Sequence, residues 1–181
     1  FALMGRMKYI NRWGLMRNTR KENICEHSLD VAMIAHALGV INNVYFGGSL
    51  NADRLAIMGM YHDATEIITG DMPTPVKYYN PLIRHAYKEV ESVAKDELLG
   101  GLPEPVLQDT EKEAVLWLYV KAADKLSALV KCIEERSMGN QDFLKAEETT
   151  LQSVLDMKLP EVNFFVEHFI QAYGLTLDES K

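Results

Sequence analysis

Apolar residues recur along this chain at helical spacing, and no stretch alternates apolar and polar positions as a strand would. The pattern predicts an all-α, single-domain helical bundle without internal repeats. Leu3, Met7 and Ile10 share one stripe with Trp13 following, and Asn11-Arg12-Trp13-Gly14 breaks that first helix. Asn23 and Glu26 match a capping box, so a second helix should start there and run to about Val40, before a loop over Asn42 to Leu50. The segment from about Asp53 to Thr69 carries Leu55, Ile57, Met58, Met60, Ala64, Ile67 and Ile68 and shows almost no polar face. It predicts one buried helix, capped by Asn51 and stopped by Gly70 in a left-handed conformation. Two prolines then stiffen the loop Gly70 to Lys77. An amphipathic helix is expected from Pro81 to Leu99, and a connection through Gly100-Gly101 and Pro103 to Pro105. A long helix from Glu111 to Met138 should end at Gly139, and two packing helices near Asp142 to Met157 and Glu161 to Tyr173 flank Pro160.

At 181 residues the chain is expected to be one domain, 1–181, able to bury roughly 70% of its unfolded surface. Cys25 and Cys132 are too few for a disulfide framework and lack zinc spacing, and both are expected as small buried groups. No run approaches the 18 apolar residues of a membrane span, and Arg6, Lys8, Arg12 and Arg17 interrupt any signal-like core. A cytoplasmic protein with no membrane partner is the expectation. Phe1 in place of a start methionine suggests a short missing piece before it.

A net charge of −7 argues against a general nucleic-acid binder. Its distribution says more, because the first 21 residues hold six Lys or Arg and no acid, leaving 13 basic against 26 acidic residues in the remainder. Such an arm can be a solvated tail, a membrane or nucleic-acid contact, or a guide for a small anionic substrate. The helical spacing of its apolar residues predicts that it packs down and sets its arginines beside the body.

The candidate chemistry lies in Met60-Tyr61-His62-Asp63-Ala64-Thr65-Glu66, which places an imidazole and two carboxylates in an apolar helix. His62 and Glu66 are four apart on the stripe of Leu55, Met58 and Gly59, while Asp63 projects about 100° round. Burying a carboxylate without a partner costs several kcal/mol or protonates it, so a bound cation is the simplest reason for this cluster. A lone core histidine is more often hydrogen-bonded than a ligand, so other elements must supply further donors. His27, in a polar first turn, is one candidate; His36 projects about 180° away and cannot serve the same metal. Asp124 lies among small residues on the stripe of Trp117, Val120 and Ala128, where an isolated aspartate is usually solvated or lysine-paired. Asp71, Thr74 and Lys77 suit a substrate-holding loop and a plain connection equally. His85 has no evident partner, and His168 among Phe164, Phe165 and Phe169 reads as core.

His27, the pair His62-Asp63 and the distant Asp124 together resemble the H, HD, D metal signature of HD-domain phosphohydrolases. Beyond it, Ile10-Asn11-Arg12-Trp13, Glu26-His27-Ser28-Leu29, Met60 to Glu66, Gly70 to Tyr78 and Lys121-Ala122-Ala123-Asp124 resemble the bacterial HD-domain 5′-deoxynucleotidases. The likeness spans nearly the whole chain and thins between Gly100 and Glu111 and near the C-terminus. It implies a homodimeric enzyme that removes phosphate from 2′-deoxyribonucleoside 5′-monophosphates with one divalent cation. It further implies that His27, His62, Asp63 and Asp124 hold the metal, that Glu66 acts in catalysis, and that Arg12 and Trp13 contact substrate. Asp71, Met72, Pro73 and Thr74 would line the nucleotide site, with Lys77 beside them and with His27 and Asp124 also facing substrate. Mixed nitrogen and oxygen donors suit Co²⁺, Mn²⁺, Zn²⁺ or Fe²⁺. Two rivals remain: another HD chemistry, such as cyclic-nucleotide or nucleoside triphosphate cleavage, and a helical regulatory module with a structural metal.

Overall fold

The computed structural model describes residues 2–77, 79–99 and 111–179. Tyr78 and the expected connection through Gly100-Gly101 and Pro103 to Pro105 lie outside the described residues. Among those described the protein is all-α, its only extended pairing being an isolated bridge between Asn11 and Asn23.

Helix α1 (Ile24–Tyr45) starts at the predicted capping box: the Asn23 side chain accepts from Cys25 and Glu26 N–H groups, and Glu26 reaches back to the Asn23 N–H. It runs five residues past Val40, because the asparagines read as loop residues find tertiary partners. Asn42 donates to Glu161 and Tyr119, while Asn43 brackets the main chain of Leu50. By length and hydropathy α1 could span a membrane, contrary to the sequence expectation, but its most apolar stretch is 56% buried within the protein. Val31, Ala35 and Leu38 form its fully buried seam.

Helix α2 (Ala52–Tyr61) is capped by Asn51 and crosses α1 at close range. A Cβ on Gly59 would meet the Cα of Ala32 at 2.8 Å, so the two backbones touch where only glycine fits. The predicted single helix to Thr69 is instead broken. After Tyr61 the chain tightens into i→i+3 hydrogen bonds, Ala64 to Tyr61 and Glu66 to Asp63, before the short α3 (Glu66–Thr69) and Gly70 at φ 71°. Nor is the segment wholly buried: Ile57, Met60 and Ile68 are exposed. The stiff loop includes one helical turn, α4 (Thr74–Lys77), ahead of α5 (Pro81–Leu99).

Helix α6 (Glu111–Ser137) is the central strut, burying Val120, Ala122, Ala123, Leu126 and Leu129 against α1, α2 and α7 (Leu144–Leu155). Gly139 at φ 85° ends it as predicted. The expected C-terminal helix is shorter, α8 (Pro160–His168), followed by a 3-10 turn at Ile170–Gly174. Two smaller expectations fail for one reason, that periodicity does not say how deep a face lies: Cys25 is exposed, although Cys132 is buried as expected, and His168 is exposed against Phe164. The basic arm does pack down, as a 3-10 turn (Met4–Tyr9) anchored by Met7.

Candidate metal centre and its cleft

Helices α1, α2 and α6 bring four distant side chains to one point. His27 is fully buried in the first turn of α1, and its Nδ1 lies 3.1 Å from the hydroxyl of Ser127 on α6. His62 caps the end of α2, with Nδ1 2.8 Å from the Gly59 carbonyl. A carbonyl only accepts, so Nδ1 carries the hydrogen and, when the ring is neutral, Nε2 keeps a lone pair. Asp63 Oδ2 lies 3.1 Å from His62 Nε2 and 3.5 Å from His27 Nε2; Asp124 Oδ1 lies 3.1 Å from His27 Nε2 and 3.9 Å from His62 Nε2. On a continuous helix His62 and Asp63 would diverge, and the tightened turn after Tyr61 is what accompanies their approach.

Both Nε2 atoms are buried and neither makes a hydrogen bond. Ligand atoms of His27, His62 and Asp124 fall within 4.8 Å of one another. Two orphaned imidazole nitrogens facing two carboxylates are the donor set a divalent cation takes, so these residues fit one. The charges are tightly linked. Burial pulls the His62 imidazole down, but the charges of Asp63 and Asp124 overrule it and raise it to about 9. Burial pushes Asp63 and Asp124 up, and the two histidines outweigh it, holding both below the usual carboxylate range.

Glu66 begins α3 one turn beyond His62, and burial together with Asp63 and Asp71 lifts its carboxyl to about 9. Its Oε2 is buried without a partner. Arg12 reaches the cluster edge, Nη2 standing 3.9 Å from Asp124 Oδ1. Burial lowers its pKa, but Glu22, Asp124, Asp63 and Asp71 raise it by more, so Arg12 stays charged. Trp13 follows at φ 59°, a rare conformation for a bulky residue, with its ring 5.4 Å from that of Phe143. Burial raises Asp71, against the charge of Arg12 and the main-chain N–H of Trp13.

A cleft of about 710 Å³ reaches the cluster at Asp124, with Arg12, Trp13, Asp71, Met72 and Thr74 also on its walls. Pro73 lines it too. Lys77 instead bonds to Glu91 on α5 at 2.9 Å and lies over the Tyr87 ring, so it ties down the α4 turn. Of the other histidines, His36 stands 3.8 Å from Asp53 on the surface and His85 pairs with Glu89. The far wall was not anticipated from sequence: Thr149, Thr150 and Ser153 of α7 face the cleft, with Lys125 bonded to Ser153. Glu22 was missed as well, although it is the first acid after six basic residues, a signal that could have singled it out.

Residues 1–173 match the family described as 5′-deoxynucleotidase YfbR-like. The chain belongs to that family. Curated relatives named 5′-deoxynucleotidase include one from Erwinia tasmaniensis, 46% identical over 99% of this chain and 94% of the relative. Another, from Yersinia pestis, is 47% identical with the same coverage. Among solved structures, an HD-domain phosphohydrolase from Listeria innocua superposes with TM-score 0.77 at 22% identity, covering 96% of this chain and 87% of that one. A cyanophage S-2L HD phosphohydrolase, bound to dA and one catalytic Zn²⁺, gives TM-score 0.66 at 20% identity, covering 94% and 95%. These superpositions establish the HD-domain bundle, and family membership makes the chain a phosphohydrolase enzyme.

Proposed function

We propose that this 5′-deoxynucleotidase family member removes phosphate from 2′-deoxyribonucleoside 5′-monophosphates, with His27, His62, Asp63 and Asp124 holding one divalent cation. The observation that carries this is the pair of buried, unbonded Nε2 atoms facing two ionised carboxylates, one of which, Asp124, lines the open cleft. A cation bound there supplies positive charge to the phosphate oxygens and acidifies water into a nucleophile near neutral pH. Co²⁺, Mn²⁺, Zn²⁺ and Fe²⁺ all suit the donors, and the cyanophage relative is described with Zn²⁺.

Glu66 then handles protons. In the metal-free protein its carboxyl is held up to about 9, and beside a bound cation Glu66 would take a proton from the attacking water or deliver one to the leaving 5′ oxygen. Arg12 forks onto the phosphate, as its charge and its place beside Asp124 favour. Trp13 and Asp71 receive the sugar, and Trp13 crowds the position a 2′-hydroxyl would need. Met72, Pro73 and Thr74 form the nucleotide wall, which Lys77 steadies through Glu91. His27 and Asp124 flank the substrate from the cation side.

The test is phosphate release from dAMP, AMP, dATP and a cyclic dinucleotide, with and without chelator and with each cation in turn. Chelator-sensitive release from dAMP with little from AMP is expected; chelator-resistant release, or none from dAMP, overturns the assignment. A homodimer and a cytoplasmic setting complete the proposal. Leu29, Met33, Val40 and Val44 make an exposed apolar stripe on α1 suited to a second copy, and Cys25 is an exposed free thiol. Light scattering should give twice the 20.5 kDa chain mass, and a monomer would remove the dimer.

A further inference from the structure

We infer that Glu22 is the positioning residue that holds Arg12 and Trp13 as one unit and thereby sets discrimination between deoxyribose and ribose. This rests on the proposed roles of those two residues. A single oxygen, Glu22 Oε2, accepts from Arg12 Nη1 at 2.8 Å and from the Trp13 indole Nε1 at 3.1 Å. The Arg12 and Glu22 side chains are only 13% and 12% exposed, so the bond is largely shielded from water. Main-chain bonds fix the same register, Arg12 N to Glu22 O and Ile24 N to Ile10 O.

The consequence is geometric. A guanidinium offers five N–H donors in a rigid fork, and Glu22 engages Nη1, while Nη2 points toward Asp124 at the cluster edge. Trp13 is held at its ring nitrogen by Glu22, and both Trp13 and Asp71 line the cleft, where the Trp13 main-chain N–H helps lower the Asp71 carboxyl. Its φ of 59° is a conformation a bulky residue keeps only when its surroundings impose it. Without Glu22 the ring keeps its contact with Phe143 and the bonds to its carbonyl from Met16 and Asn18, but loses the acceptor that fixes its tilt. Phosphate clamp and sugar wall would then move independently.

The test compares Glu22→Ala and Glu22→Gln on dAMP and AMP, with acrylamide quenching of Trp13 fluorescence in a Trp117→Phe background, where Trp13 is the one remaining tryptophan. Glu22→Ala should lower kcat/KM for dAMP roughly 10- to 100-fold, chiefly through KM, and cut the dAMP-to-AMP ratio at least about fivefold, while Trp13 becomes easier to quench. Glu22→Gln keeps an oxygen for both N–H groups and should restore the ratio to within about threefold. A folded Glu22→Ala protein with an unchanged ratio overturns the inference. Should that variant fail to fold, Glu22→Asp, which withdraws the carboxylate by one methylene, must show the same fall in ratio, and an unchanged ratio again overturns it. A wild type inactive on dAMP would instead defeat the proposed function, leaving the quenching comparison to decide whether Glu22 holds Trp13.

Discussion

Helix α6 carries charge at two places, the half-exposed Asp124 and the buried Lys131–Glu135 pair, and treats them in opposite ways. Glu135 is fully buried and fully bonded: it accepts from Lys131, from Asn140 and from the main-chain N–H groups of Thr19 and Arg20. Lys131 also donates to the Arg20 carbonyl, so this cluster clamps the loop after Trp13 onto the helix. Around Asp124 the matching atoms are left open, with two histidine Nε2 atoms buried and unbonded, and solvent reaching the Asp124 side chain from the cleft. A satisfied buried charge is scaffolding; a carboxylate beside buried imidazole nitrogens that lack hydrogen-bond partners is where the proposed cation would bind.

The largest expected effect separates the two clusters by activity. Asp63→Asn keeps the shape but removes a charge from the donor set, and should lose bound cation and turnover on the order of 10³-fold, with melting shifted little. Metal content and phosphate release on one preparation check it, and full metal occupancy would show that Asp63 is no ligand. Glu135→Ala should do the reverse. It strands the buried Lys131 charge and two main-chain N–H groups, costing about 3–5 kcal/mol in urea unfolding while metal content per folded molecule is kept. Unchanged stability would make the clamp ornamental.

Acid titration sharpens the contrast through its sign. Burial raises Glu135, but Lys131, Asn140 and the two N–H groups overrule it and hold it near 2, below its ordinary 4.5. Its stabilisation is therefore present above pH 4.5 and lost as pH falls toward 2, about 3 kcal/mol in all. His62 runs the other way: raised to about 9, it stabilises the metal-free protein below pH 6.5, and that contribution fades as pH climbs through 9. Urea midpoints of the metal-free protein across both windows should show both slopes; Glu135→Gln should flatten only the acidic one. The smallest effect expected is from Gly59→Ala. The added methyl meets main-chain atoms of Ala32, costing about 1–3 kcal/mol, and shifts the carbonyl that orients His62, so cation affinity should fall with stability. Lost stability at unchanged affinity would uncouple that contact from the site.

Much of this molecule could be read along the chain because the signals are local. The capping box at Asn23, the cap at Asn51 and the stop at Gly139 follow from the chemistry of neighbours a turn apart. The gathering of His27, His62, Asp63 and Asp124 was legible too, through the resemblance to the H, HD, D signature rather than through spacing, which left Asp124 as readily solvated. The break after Tyr61 was not, because apolar spacing continues through it; the contact of Gly59 with Ala32 and the reach of His62 back to the Gly59 carbonyl are features of packing. Lys77 and Glu91 likewise meet only because α4 folds back on α5.

The amino-acid order alone therefore determined the all-α class, the capped start of α1, the stop after α6 and the few ionisable groups set into apolar segments. Tertiary structure decided what those groups meet: that Glu22 reaches Arg12 and Trp13, that α7 closes the cleft, and that Glu135 is satisfied while His27 and His62 are not. The physical reason is range. Burial and capping act between residues one to four apart, whereas hydrogen bonds among distant side chains exist only once the helices have packed.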